Sequence, residues 1–320
     1  NFNKPLFLIW FKHGDLREIV RWEGIDRILR AGIIWEPRRL VLWEVRWKDQ
    51  INDAGIRNAP YFKPDWNPDL FRYQNYFNNV SLFHIEKLNK VGGFRPQLGE
   101  YIYWDLVLRV TEITDHDQIR HIPFILSHEL VSGPETNNIL DSESNPVLYR
   151  EMIQSHFERT HEKAQITQHE NSHHQIEYAI PEPQPRLSVI VPTKNSHKLL
   201  SVCLESVVNK GGYENLEIII VDNESNDPET LSFLENLKDE ELFKILRYNR
   251  PFNFSAINNF AARHSSGEIL LFLNNDIEAL SPSWIVKMVR HAVRPDIGAV
   301  GAMLYYPDKT IQHAGIILGV

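Results

Sequence analysis

Apolar and polar positions recur along this chain at two different periods, and the switches between them mark strands and helices in order. The pattern is sharpest from residue 187. The apolar run LSVIVP is followed by a polar turn, TKNSHK, then by Leu199, Leu200, Cys203, Leu204 and Val207 at helical spacing, then by a second apolar run, LEIIIVD. A third run fills residues 268–273. Short unbroken apolar runs separated by helical periods predict parallel strands buried on both faces. The fold class expected is α/β, a mostly parallel sheet flanked by helices, and ligands of such sheets sit beyond the carboxyl ends of the strands.

The earlier residues also alternate. A strand is expected at residues 5–11, a turn at 13–15, a helix carrying Ile19, Trp22, Ile25 and Leu29, and a strand at 40–45. A proline-punctuated loop at 61–68 precedes a strand at 80–83, a helix ending at Gly92 and Gly93, a helix over 104–111 and a strand at 121–126. Residues 132–145 are rich in Ser, Asn, Glu and Pro. Asn145 and Pro146 then offer a cap and a first-turn proline for a helix with Leu148, Met152, Ile153 and Phe157. Residues 166–186 are polar, then stiffened by Pro181, Pro183 and Pro185. The organisation expected is a first domain over 1–135, a helical and proline-rich linker over 136–185, and a second domain over 186–320.

Composition narrows the function classes. The chain has 320 residues, room for about two domains of roughly 150 residues each. Lys and Arg number 34 against 42 Asp and Glu, a net charge of −8, which removes any general attraction for nucleic acid. The one cysteine, Cys203, forms no intramolecular disulfide, so a reducing compartment is the simplest reading and a core thiol the expected role. No apolar run approaches the roughly 20 residues of a membrane span. The chain opens at Asn1, and Met152 is its first methionine; the expectation is a fragment, cut at both ends.

Three strand ends carry the polar residues of interest. The first ends in Pro192, Thr193, Lys194 and Asn195, the second in Asp222, Asn223, Glu224 and Ser225, and the third in Asn274, Asn275 and Asp276. Asp222 can accept hydrogen bonds from a base or ribose, and Asp276 with its neighbours can hold a hard divalent cation, because carboxylate oxygens suit Mg or Mn. Taken singly, Asp222 and Asp276 are equally well read as caps of the helices that follow. There is no Walker-type GxxxxGK and no dinucleotide GxGxxG, and residues 193–198 lack the glycines of a nucleotidyltransferase triphosphate loop.

The ordered series VIVPTKN, EIIIVDNESND, PFNFSAINNFAA, GEILLFLNNDIEAL and GAVGAMLYYPDKTIQHAGIILG resembles the nucleotide-binding half of family-two glycosyltransferases of the GT-A fold, most closely the bacterial enzymes of surface-polysaccharide biosynthesis. The resemblance covers residues 186–320. It implies that Pro192, Thr193 and Asp222 line the pocket for base and ribose, and that Asn253, Ser255, Asn258 and Asn259 lie in the segment facing the nucleotide sugar. Asn274, Asn275 and Asp276 stand where the family has its Asp-x-Asp metal motif. Asn274 replaces the first acid, which leaves Asp276 as the main protein anchor for Mg or Mn, with modest metal affinity before the nucleotide binds. The family implies an inverting single displacement with an Asp or Glu as general base, expected beyond Val320; His313 is read as structural or acceptor-side. The partners implied are a nucleotide-diphosphate sugar and a glycan or lipid-linked acceptor. The location implied is the cytoplasm, with peripheral association at the inner face of the cytoplasmic membrane.

The first domain resembles the later, acceptor half of the same fold, through YFKPDWNPDLFRYQNY, VGGFRPQ, YWDLVLRV and IRHIPFILSHE. Where the family carries acidic metal ligands this part has Lys12, His13, Gly14 and Asp15, and Tyr103 and Trp104 stand before Asp105 and Leu106 where a catalytic acid is expected. A degenerate transferase domain, kept for packing, acceptor binding or placement, is the reading that follows, with Asp105 as a helix-start carboxylate and His128 in a core or surface role. His156, His161, His169, His173 and His174 lack cysteine partners and are not read as a zinc site. The alternative to a metal-dependent glycosyltransferase is a non-catalytic glycan-assembly scaffold in which both domains have lost activity.

Overall fold

The computed structural model of the chain describes residues 7–9, 42–52, 55–77, 81–131, 145–168 and 174–316. The expected helix over Ile19–Leu29, the Lys12–Asp15 cluster, the Ser/Asn-rich segment 132–144, His169 and His173 lie outside the described residues. The chain divides into two compact units, one within Asn1–Ile176 and the other within Glu177–Gly315.

In the first unit, β1 (Phe7–Ile9) pairs antiparallel with β4 (Ser81–His84), which pairs with the start of β2 (Leu42–Asn52). The later half of β2 pairs antiparallel with β3 (Arg57–Tyr61). The opposite edge of β2 is filled along its length by β5 (Ile119–Val131), in parallel. Both long strands outrun the spans expected from the sequence, 40–45 and 121–126, because their later residues are mostly polar and give no apolar run. The proline-punctuated loop expected at 61–68 is present and joins β3 to a helix, α1 (Pro68–Tyr73), capped by the Asn67 side chain on the Leu70 N–H with Pro68 in its first turn.

The helix ending at Gly92–Gly93 is present as α2 (Ile85–Lys90), and both glycines have positive φ, 78° and 69°. The next, α3 (Ile102–Thr111), is buried along nearly its whole length. It packs among aromatic rings: Trp104 lies 6.1 Å from Phe71 and 5.6 Å from Tyr149, and its indole donates to the Phe71 carbonyl at 2.8 Å. Full burial of each such side chain is worth about 1.5–3 kcal/mol.

Helix α4 (Pro146–Thr160) begins as the sequence predicts, with Asn145 Oδ1 accepting from the Val147 N–H at 3.0 Å. It is a core element of the first unit and not a free linker. Tyr149, Met152, Ile153, His156 and Phe157 are buried, and the Tyr149 hydroxyl donates to the Arg72 carbonyl at 2.7 Å. The polar segment that follows forms a two-stranded sheet of β6 (Ala164–Gln168) and β7 (His174–Tyr178).

The second unit follows the predicted pattern closely. Strands β8 (Leu187–Thr193), β9 (Leu216–Asp222), β10 (Phe243–Arg247) and β11 (Ile269–Phe272) form one parallel sheet in the order β10-β9-β8-β11. Helices α5 (His197–Lys210), α6 (Pro228–Leu237), α7 (Phe254–Ala262) and α8 (Trp284–Ala292) flank it. Successive side chains of a strand point to opposite faces, and both faces of β8 and β9 are covered. Leu187, Val189, Val191, Ile218 and Ile220 meet Leu200, Cys203, Leu204 and Val207 of α5 and Ile285 and Val289 of α8. Ile190, Ile219 and Val221 meet Ile257 and Ala261 of α7. Gly267, just before β11, is required by space, since a Cβ there would stand 2.6 Å from the Ser188 backbone nitrogen. A short antiparallel pair, β12 (Leu304–Tyr305) and β13 (Ile311–His313), follows α8. Among the described residues no helix is long and apolar enough to cross a membrane.

Candidate nucleotide-binding site

Parallel register sets the geometry of the strand ends. In the β8–β9 ladder Pro192 lies opposite Val221 and Thr193 opposite Asp222, so two of the expected site residues finish their strands side by side. Thr193 is 4% exposed and Asp222 1%. On the other side of β8 the chain leaves β11 through Leu273, whose N–H donates to the Ile190 carbonyl at 2.9 Å. That step brings Asn275 over β8, where its Nδ2 donates to the Thr193 hydroxyl at 3.0 Å.

The turns after β8 and β9 are tied together. Asn195, at φ 49°, accepts on Oδ1 from the N–H groups of Asn226 and Asp227 at 2.8 and 2.9 Å, and its own N–H donates to Ser225 Oγ at 3.0 Å. The Asn223 N–H donates to the Thr193 carbonyl at 2.9 Å. Asn195, Asn223 and Ser225 are the framing residues that reading by residue type alone leaves unassigned. Their signal in the sequence is only that amides and hydroxyls cluster at two strand ends.

The Asp222 carboxylate is engaged on both oxygens. Oδ1 accepts from the Ser225 N–H at 3.0 Å, closing the turn, and Oδ2 accepts from Arg247 at the end of β10 at 2.5 Å. Asn223 spans the next gap, donating from Nδ2 to the carbonyls of Tyr248 and Arg250 at 3.0 and 2.9 Å. Its Oδ1 is buried without a partner. A buried acceptor left unpaired is costly, and this one stands at the strand end where a ligand's N–H would satisfy it.

Asn253 caps α7, with Oδ1 accepting from the Ala256 N–H at 2.9 Å, and Ser255 is exposed in its first turn. Asn258 is 6% exposed and donates to the Phe254 carbonyl of its own helix at 2.9 Å. Among the described residues no hydrogen bond joins Asn253, Ser255 or Asn258 to the Thr193–Asn275 pair. Asn259 lies on the other side of α7, along a cleft with Arg247 and Arg263.

Asn274 and Asp276 are exposed, and no hydrogen bond or ion pair among the described residues engages the Asp276 carboxylate. Beneath this loop lies Cys203, whose thiol donates to the Asn274 carbonyl at 3.4 Å. Burial, reinforced by the nearby Asp276 charge and opposed by a backbone hydrogen bond at Ile277, pushes the thiol up to about 12. The expected core thiol is thus also the floor of the acidic loop. One free carboxylate with amide neighbours suits a hard cation that takes its remaining ligands from a bound diphosphate. The grouping His197, Asp227 and Glu229 also brings three ligand types together. It stands at the N-termini of α5 and α6, where the helix dipoles oppose a cation, and Asp227 is already capping Thr230 at 2.8 Å.

In the first unit Asp105 is fully buried, held by Arg109 at 2.7 Å with Arg95 at 3.6 Å. Arg109 also donates to the carbonyls of Val91 and Gly93 at 2.6 and 2.7 Å. Asp105 stands in the first turn of α3, the helix-start position expected, and its burial beside Arg109 gives it a structural role there. Asp49, 3% exposed, pairs with Arg57 at 2.5 Å and lies opposite His128 in the β2–β5 ladder. His156 contacts Glu112 at 2.7 Å, His161 ends α4 in the left-handed region, and His174 stacks on Tyr149 at 4.5 Å. His313 is half-buried on β13.

Comparison with known proteins gives this geometry a family. Residues 188–314 match the model of Glycosyl transferase family 2. The O-antigen biosynthesis protein RfbC of Myxococcus xanthus is 37% identical over 276 residues, 85% of this chain and 21% of that protein. The GalNAc(5)-diNAcBac-PP-undecaprenol beta-1,3-glucosyltransferase of Campylobacter jejuni is 39% identical over 99 residues, 30% of this chain and 31% of its own. Among solved structures, the mannosyltransferase PcManGT from Pyrobaculum calidifontis, in complex with GDP-Man and Mn2+, is 25% identical over 40% of this chain and 38% of its own, with a TM-score of 0.36. The chain spans about a fifth of the length of the Myxococcus relative, 21%. From β8 to β13 this chain is thus similar to glycosyl transferase family 2, over a segment built on a parallel α/β sheet.

Proposed function

We propose that the second unit binds a nucleotide-diphosphate sugar and that the complete protein transfers the sugar to a glycan or lipid-linked acceptor, with inversion and with Mg or Mn as cofactor. The observation that carries this reading is the assembly of three parallel strand ends into one polar ledge, with Thr193 joined to Asn275 and set beside Asp222. Within that ledge Pro192, Thr193 and the turn held by Asp222 receive base and ribose. Asn223 offers its unpaired Oδ1 to a ring N–H. Asp276, with Asn274 and Asn275, faces the diphosphate.

A divalent cation at Asp276 would supply charge neutralisation for the departing nucleoside diphosphate. The residues of this chain orient and exclude. The Asn195–Asn226 bracket fixes the turn over the base, and Arg247 holds Asp222 so that the turn keeps its shape when the pocket is empty. Asn253 and Ser255 border the sugar end from the start of α7. The names of the Myxococcus and Campylobacter relatives support O-antigen assembly and an acceptor carried on a lipid diphosphate; work at the inner face of the cytoplasmic membrane is part of the proposal.

The first unit is proposed to position or pack rather than to catalyse, since its Asp105 is locked between arginines and cannot reach an acceptor hydroxyl. Calorimetric titration of the chain with UDP, TDP and GDP, with and without manganese, tests the reading. A diphosphate bound more tightly with manganese is expected; no binding to any of the three by the folded chain would remove it.

A further inference from the structure

On the β10 side of the second unit lies a cleft of about 480 Å³, reached past Arg247 from Asp222. Arg247, Arg250 and Arg263 line it, together with the amides of Asn249 and Asn259 and the ring of Phe260, and no acidic residue is among its walls. Arg247 is held in place by Asp222 and by the Ser225 carbonyl. The guanidinium groups of Arg250 and Arg263 have no hydrogen-bond or ion-pair partner among the described residues. Arg263 stands at the C-terminus of α7, where a cation complements the helix dipole, but that accounts for one arginine and not for three converging on one space. The whole chain carries a net charge of −8, so this local excess of positive charge is not a general property of the surface.

We propose that this cleft is a binding site for a phosphorylated ligand, adjoining the Asp222 end of the donor ledge through Arg247 but distinct from its diphosphate end. Guanidinium forks match the paired oxygens of phosphate and hold them more strongly than neutral donors do. The volume admits a diphosphate, and the two asparagine amides add donors between the arginines. Strand order separates the cleft from the donor diphosphate: β10 and β11 are the two edges of the four-stranded sheet, roughly 14 Å apart at about 4.8 Å per strand. A phosphate in the cleft needs no metal, because the arginines already supply the charge.

The test is titration of the full chain with inorganic pyrophosphate in EDTA. Binding is expected, weakened about tenfold or more by Arg250→Ala/Arg263→Ala, since each lost guanidinium removes charge-assisted hydrogen bonds. Asp276→Ala should leave it unchanged. So should Lys287→Ala/Lys309→Ala, which removes the same charge elsewhere in the second unit. Both arginines are exposed, and an unchanged thermal transition checks that the double variant folds. Sedimentation with vesicles of phosphatidylcholine and phosphatidylglycerol identifies the source. Sedimentation with the vesicles that depends on Arg250 and Arg263 means a lipid headgroup; pyrophosphate binding with no such sedimentation means a soluble phosphate. The proposal is overturned if pyrophosphate does not bind in EDTA, if the double variant binds it as tightly as the native chain, or if the double variant also loses manganese-dependent UDP binding.

Discussion

Asn275 Nδ2 donates to the Thr193 hydroxyl at 3.0 Å, joining residues 82 positions apart in sequence and fixing the loop after β11 over the end of β8. The hydrogen bond is side chain to side chain, and Thr193 is 4% exposed, so either truncation leaves a group without its partner. Thr193→Val and Asn275→Ala should each lower stability by about 1 kcal/mol, with a coupling of about 0.5–1.5 kcal/mol in the double variant. Urea unfolding of the four proteins measures it, and additive losses would mean that the pair does not act as a unit.

Asp222 and Arg247 form a second such pair, but Arg247 is half exposed, so its charge is partly screened and contributes less than the buried hydrogen bond from Ser225. Asp222→Ala should destabilise the second unit by about 1–3 kcal/mol through the lost turn. Arg247→Ala should cost less, about 0–1 kcal/mol. Nucleotide affinity should fall in Asp222→Ala equally with and without manganese, because the base end of the site and not the diphosphate end is disturbed. A loss confined to manganese-containing buffer would place Asp222 in the wrong role.

In the first unit, Glu112 is the acid-sensitive joint between α3 and α4. Burial raises its pKa, but hydrogen bonds and charge from Arg159 and His156 more than reverse this and hold the carboxyl below its ordinary 4.5. A folded pKa below the unfolded one gives stability that is present above the unfolded pKa and lost as pH falls through the folded one. The first unit should therefore weaken on acidification below about pH 4.5, the ordinary carboxyl value. Glu112→Gln should be less stable at pH 7 and show a flatter acid limb in a pH series of thermal melts. An equally steep limb in that variant would assign the acid sensitivity elsewhere.

Cys203 should behave as a buried thiol. With its pKa pushed up to about 12 and its side chain at 0% exposure, it presents almost no thiolate near neutrality. Native protein at pH 8 should leave a thiol-disulfide reagent nearly unreacted over about an hour, whereas the urea-unfolded chain reacts at once. Prompt reaction of the native chain would mean that the loop over Cys203 opens.

The second unit was legible almost residue by residue because its strands are buried on both faces, so LSVIVP and LEIIIVD announce themselves without needing a partner strand. The first unit was less so. The later residues of β2 and β5 are mostly polar or charged, with apolar residues scattered among them, which leaves no apolar run. The helix α1 is too short for a helical period. The role of α4 depended on tertiary contacts, Tyr149 to the Arg72 carbonyl and Arg159 to Glu112, which no local pattern encodes. At the candidate site, sequence indicated the strand ends but not the bonds across them. Nothing in EIIIVDNESND says that Asp222 will meet an arginine 25 residues later, or that Asn223 will keep one oxygen unpaired.

Calorimetric titration of UDP into the native chain and Asp276→Ala, each with and without manganese, tests the central claim most directly. The account predicts that manganese tightens binding to the native chain and that the substitution removes this gain while leaving the metal-free affinity nearly unchanged. A manganese effect that survives in Asp276→Ala, or a metal-free affinity that collapses with it, would contradict the assignment of Asp276 to the diphosphate end of a glycosyltransferase donor site.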